Sequence, residues 1–232
     1  MNCISKLQSH RFLFRRCLLQ PSQTRTIFDE SYLSLEGLQS KQKEFLASCN
    51  DVKAHFENIQ RNFQRGGIEV MTQNQVFDTI NSATENEECN DKEYIKTIVK
   101  SFCQDIDRDE KAKQQIVKSF LYLCYINQDH ENAKEIADLA LSMNLMSYNA
   151  KKIYLQLLYN AGLYENVYTV IKMNKDEPFP DIARNLNTYT RALAALYQLG
   201  TDEAFRDAME LKKEMLQESK CKQNFELMHL AV

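Results

Sequence analysis

The chain has no tryptophan, and glycine and proline are scarce, at five and three in 232 residues. Alternating strand-like runs are hard to find, so an all-α chain is expected. No run of 18 apolar residues occurs, which excludes a transmembrane helix. The seven cysteines (positions 3, 17, 49, 89, 103, 124 and 221) form no CxxC pair and accompany no histidine cluster. They make neither a zinc pattern nor a disulfide framework, and read as buried or free thiols in a reducing compartment. A Walker loop, a dinucleotide fingerprint and a metal-binding pair are all missing. The four histidines (10, 55, 130 and 229) have no local acid or cysteine partner. Nothing here calls for a cofactor or for catalysis, and a binding protein is expected.

Acidic residues are missing from the first 28 positions, where Lys6, Arg11, Arg15, Arg16 and Arg25 stand among Leu7, Phe14 and Leu18. An acid-free, serine-containing, basic and amphipathic leader has the composition of a mitochondrial transit peptide. Arg15-Arg16 interrupts the apolar run that a secretory signal would need. Residues 1–28 are therefore set apart, and the expected location is the mitochondrial matrix. Without the five basic residues of this leader, the 29 Lys and Arg fall to 24 against 32 Asp and Glu, a net of −8. A generic polybasic binder would lean the other way, so any nucleic-acid surface must be a local patch.

Apolar residues recur at three- and four-residue spacing through most of the remainder. Residues 29–110 give about four amphipathic helices, with a break at Gly66-Gly67 and an acidic loop from Ser82 to Asp91. The helix holding Tyr94, Ile95, Ile98, Val99 and Phe102 is expected to dock onto the first clear helical repeat. The acidic runs Glu85-Asn86-Glu87-Glu88 and Asp105 to Glu110 read as solvated loops.

Residues 111–232 show a repeat. One helical pair carries Ile116, Val117, Phe120, Leu121 and Cys124, turns at Asn127-Gln128-Asp129, and continues with Ala133, Ile136, Ala137 and Ala140. A second carries Ile153, Tyr154, Leu157 and Leu158, turns at Gly162, and continues with Leu163, Val167, Val170 and Ile171 before Pro178-Phe179-Pro180. A third begins at Asn187-Thr188-Tyr189 and turns at Leu199-Gly200. Thr201 is placed to cap a helix bearing Ala204, Phe205, Ala208 and Met209. The turn positions Gln128, Gly162 and Gly200 lie 34 and 38 residues apart. That period marks an α-solenoid of the tetratricopeptide or pentatricopeptide kind.

The segment Asn160-Ala161-Gly162-Leu163-Tyr164-Glu165-Asn166-Val167 and the run Asn187-Thr188-Tyr189-Thr190 resemble the turn and the start of pentatricopeptide repeats. Taken in order with Leu123-Cys124-Tyr125, Leu38-Gln39-Ser40-Lys41-Gln42-Lys43 and His55-Phe56-Glu57-Asn58-Ile59, they resemble the mitochondrial pentatricopeptide repeat-containing protein 2 family. The likeness runs from about Tyr32 to Met215. Members of that family continue well past this length. The resemblance therefore implies that a chain stopping at Leu230-Ala231-Val232 is a short or truncated form.

In such arrays the first helix of each pair faces a single strand of RNA and reads about one base per repeat. Ten residues before each turn stand Lys118, Lys152 and Thr190, with Lys151 and Arg191 beside them. The family places Asn, Thr or Ser there, so Thr190 fits and the two lysines depart. A lysine donates but cannot accept, so it suits a phosphate or a base acceptor rather than a base's donor–acceptor pair. The resemblance implies an RNA-binding protein of mitochondrial RNA processing and maturation, acting on single-stranded RNA alongside other mitochondrial RNA-processing proteins. The competing expectation is a protein-binding scaffold or assembly factor, which the acidic net charge favours.

Overall fold

The computed structural model describes residues 33, 35–173 and 186–217. The leader and the Pro178-Phe179-Pro180 segment lie outside these residues. Among the described residues there is no strand, and residues 36–217 contribute ten α-helices that belong to one compact unit. They are α1 (Glu36–Ser48), α2 (Val52–Gly66), α3 (Gln73–Glu85), α4 (Lys92–Gln104) and α5 (Glu110–Ile126). The remainder are α6 (His130–Ser142), α7 (Tyr148–Asn160), α8 (Tyr164–Met173), α9 (Leu186–Leu199) and α10 (Asp202–Gln217). The described residues are all-α, as the sequence leads one to expect.

Helix starts are set by short polar side chains. Asp51, Asp91, Asp109 and Asp129 each accept the backbone N–H three residues on, at the heads of α2, α4, α5 and α6. Ser147 and Thr201 do the same for α7 and α10, and Thr72 with Gln75 makes a reciprocal capping box at α3. Each cap satisfies an N–H that the helix cannot pair internally, and is typically worth ~1 kcal/mol. Part of the chain's acidity is therefore structural. The two acidic runs are largely solvent-facing, as expected, with Glu87, Glu88, Asp107, Asp109 and Glu110 exposed, but their surroundings are ordered. Glu87–Cys89 is a 3-10 turn with Cys89 fully buried, Ser82 is buried inside α3, and Asp105 accepts from Arg108 at 2.9 Å.

The turns repeat as closely as the helices. Gln128, Gly162 and Gly200 all take left-handed backbone, with φ of 52°, 73° and 66°. At the first of them, Gln128 and Asp129 donate to the carbonyls of Tyr125 and Cys124; at the second, Gly162 and Leu163 donate to those of Tyr159 and Leu158. The same pair of bonds closes both helix ends and consumes carbonyls that would otherwise lack donors. Gly occupies two of the three positions because it meets no Cβ penalty there.

Packing falls into two rows. Helices α1, α3, α5 and α7 touch in succession, and Arg191 of α9 donates to Gln156 of α7 at 3.3 Å. On the other side α4 packs on α6, and Tyr94 of α4 meets the rings of Phe56 and Phe63 of α2 edge-on at 5.7 Å. The apolar stripes face inward between the rows. Ile116, Val117, Ile136, Ala137, Ile153, Leu157 and Val167 have no exposed surface. Phe205 and Met209 depart from the expected stripe of α10, at 44% and 41% exposed, while Ala204 and Ala208 one position away are buried. The helix buries Ala204, Ala208 and Leu211 and turns Phe205 and Met209 out.

Candidate functional site

The first-row helices carry a file of side chains at nearly the same distance from their ends. Phe77, Lys118, Lys152 and Arg191 each stand eight residues before the last residue of α3, α5, α7 and α9, and Lys41 stands seven before that of α1. Because the helices lie side by side, equal distance from the end becomes adjacency in space. The Lys41 ammonium lies 4.6 Å from the centre of the Phe77 ring, and the Lys152 ammonium 4.9 Å from that of Tyr148. Both are cation–π distances.

The cations in this file act on one another. Burial, followed by the charge of Lys41, holds the Lys118 ammonium below the usual lysine pKa. Burial, then Arg191, then Lys118, does the same to Lys152. Gathering like charges in a partly dehydrated row disfavours the charged form of each. Lys118 makes no hydrogen bond or ion pair with any described residue, and Lys41 is the one charged group that perturbs it. An anion laid along this row would relieve the repulsion, which few surfaces of a net acidic chain can offer.

Among the five residues expected to contact RNA, exposure sorts the roles. Lys118 and Thr190 are half-buried and within reach of solvent. Lys151, Lys152 and Arg191 are 3%, 7% and 1% exposed. All three are interior groups in this structure, and of the five Lys118 and Thr190 reach solvent. Arg191 donates to the buried Gln156, and its charge disfavours the charged form of Lys152. The sequence reading also missed Lys41 and Phe77. Their helices end without a glycine or an equivalent turn, so the register that exposed Lys118 and Lys152 had no marker there. Counting back from the helix ends would have found them.

Beside Lys41 and Phe77, α1, α2 and α3 enclose an open cleft of about 900 Å³ that reaches Gln115 of α5. Inside it His55 Nε2 lies 3.1 Å from Asp78 Oδ2, and the His55 ring packs 5.8 Å from Phe45. Thus His55 does have an acidic partner, 23 residues away, which no local motif announces. Among the described residues no group of three His, Cys, Asp or Glu side chains is placed to hold a metal, and no helix is long and apolar enough to cross a membrane. Cys89, Cys103 and Cys124 are buried free thiols, and burial pushes that of Cys103 up to about 11. Buried apolar surroundings make a thiol inert rather than nucleophilic. Comparison of the chain with family models, with curated proteins and with solved structures finds no match.

Proposed function

We propose that the chain is a mitochondrial RNA-binding protein of the helical-repeat kind, in which α1/α2 through α9/α10 are five stacked pairs of a pentatricopeptide-like α-solenoid. Single-stranded RNA lies along the first row, and the protein serves mitochondrial RNA processing and maturation. One observation carries the reading: Lys41, Phe77, Lys118 and Lys152 fall at matching positions on four successive first helices, with Lys41 acting on Lys118 and Lys118 on Lys152. A phosphate backbone supplies negative charge to this file, and an aromatic ring supplies a sequence-tolerant platform for a base. Five pairs at one nucleotide each give a footprint of about five nucleotides, larger than the three that the visible repeats alone allow.

The test is the binding of the chain to fluorescent single-stranded RNA as salt is varied. Lys41→Glu with Lys118→Glu should weaken binding by at least about tenfold and flatten the salt dependence by about 0.7 for each phosphate no longer neutralised. The charge-matched pair Lys134→Glu with Lys213→Glu, both exposed and in second helices, should change it far less. Equal losses from both pairs would indicate bulk electrostatics alone. The mitochondrial part of the reading has its own test, since residues 1–28 fused to a fluorescent reporter should carry it into mitochondria. The second reading, a protein scaffold in the matrix, draws on the net of −8 outside the leader. It takes over if the chain binds no RNA at low salt.

A further inference from the structure

We infer that the cleft between α1, α2 and α3 is a nucleobase site, receiving one unpaired base of the RNA strand. This rests on the reading above that the strand follows the first-row file. The geometry joins the two. Lys41 belongs to the file and also lines the cleft, and Phe77, whose ring lies beneath its ammonium, forms part of the same wall. At about 900 Å³ the cavity falls within the range of small-molecule sites.

The lining favours a base over a phosphate. Asn58, Asn74, Asn81 and Gln115 all border the cavity. Each amide carries both a donor and an acceptor, the pairing that a base's Watson–Crick edge presents. Three carboxylates also border it: Asp51, Asp78 and Glu44. Asp51 is occupied as the cap of α2 and Asp78 by His55. Glu44 remains, and with Lys41 as the one lysine in the lining the cleft carries an acidic excess. A phosphate is repelled from such a cavity, whereas a neutral base is not. The backbone therefore stays on Lys41 and Lys118 while one base turns inward against Phe77.

The experiment uses the full chain and an eight-nucleotide adenylate strand made abasic at one position at a time, with affinity read by fluorescence anisotropy. One abasic position should weaken binding about tenfold, within the range given by single base–aromatic stacks, while the others cost much less. In Phe77→Leu that penalty should shrink to under about twofold at the same position. In Gln115→Ala, a change on an exposed helix surface, it should fall part-way, so a folding defect in the first variant leaves the outcome decided by the second. Lys118→Glu should weaken every strand by the same factor. An abasic penalty that is uniform along the strand, or that persists unchanged in both cleft variants, overturns the base site and leaves the RNA reading standing. Failure of the unmodified chain to bind the intact strand overturns the RNA reading, and the base site with it.

Discussion

Lysines on the two rows of helices live in opposite electrostatic surroundings. On the second row four lysines find carboxylates. Lys53 meets Glu88 at 2.7 Å and Lys92 meets Asp129 at 2.9 Å; Lys100 meets Glu135 at 2.6 Å, and Lys96 is held between Glu93 and Glu135. The hydrogen bond to Glu93 leads the causes that hold Lys96 above the usual lysine pKa. On the first row, burial and neighbouring cations hold Lys118 and Lys152 below it. Identical residues thus cement one face of the molecule and crowd positive charge on the other. Net charge alone would never suggest this, because both faces draw on the same lysine-rich composition. Local segregation is what turns an acidic chain into a candidate polyanion binder.

The most damaging change should be one that removes what the rows share. Leu157 of α7 is fully buried between them. Leu157→Ala should cost roughly 2–5 kcal/mol, the usual range for a core leucine whose cavity relaxes little. Chemical denaturation reads this directly, and an unchanged midpoint would mean that α7 does not bury this face.

A smaller effect is expected at Lys96, which ties α4 to α6 through Asn132 and Glu135. Lys96→Ala should cost roughly 1–2 kcal/mol, since its carboxylate partners stay within reach of water when it is gone. Lys100→Ala, at a half-exposed pair, should cost under about 1 kcal/mol. If the two melt alike, burial of Lys96 contributes nothing and the contrast between the rows weakens. Acid should attack the same row. Hydrogen bonds from Lys100 and Lys96 hold the Glu135 carboxyl below its usual value of 4.5. Its stabilising contribution is present above that pH and is lost as pH falls through the lowered folded value.

The smallest effect has the opposite sign. Lys118→Met keeps the aliphatic stem and removes a charge that the folded state disfavours, so the free protein should gain about 0.5–1 kcal/mol; under the proposed RNA reading, affinity should fall at the same time. For a chain of this size that is a rise of about 1–4 °C in Tm. The advantage should fade as pH climbs towards 10.5. A lysine with a depressed folded pKa destabilises the fold while charged, and loses that charge in the folded protein before the unfolded chain does. A variant less stable than the parent at neutral pH would show that Lys118 has a stabilising partner after all.

Much of the local structure is written in single residues. The left-handed turns at Gln128, Gly162 and Gly200, the Thr201 cap and the buried stripe from Ile153 to Leu158 depend on neighbours within five positions. Turn chemistry and helical periodicity therefore make them readable in order along the chain. The equivalence of Lys118 and Lys152 was legible for the same reason, since both count back from such a turn.

Contacts between distant positions could not be read that way. Sequence gives an angle around a helix and a distance from its end, but not what the next helix lays over it. Only the tertiary arrangement decides that Arg191 is covered while Lys118 stays half-open: Arg191 meets Gln156, 35 positions away. The same arrangement brings Lys41 over Phe77 across 36 positions and His55 to Asp78 across 23. Sequence determined the helices, their caps and turns, and the helical class of the fold. Tertiary packing decided which lysines meet carboxylates and which meet each other, because that depends on how rows of helices align in space.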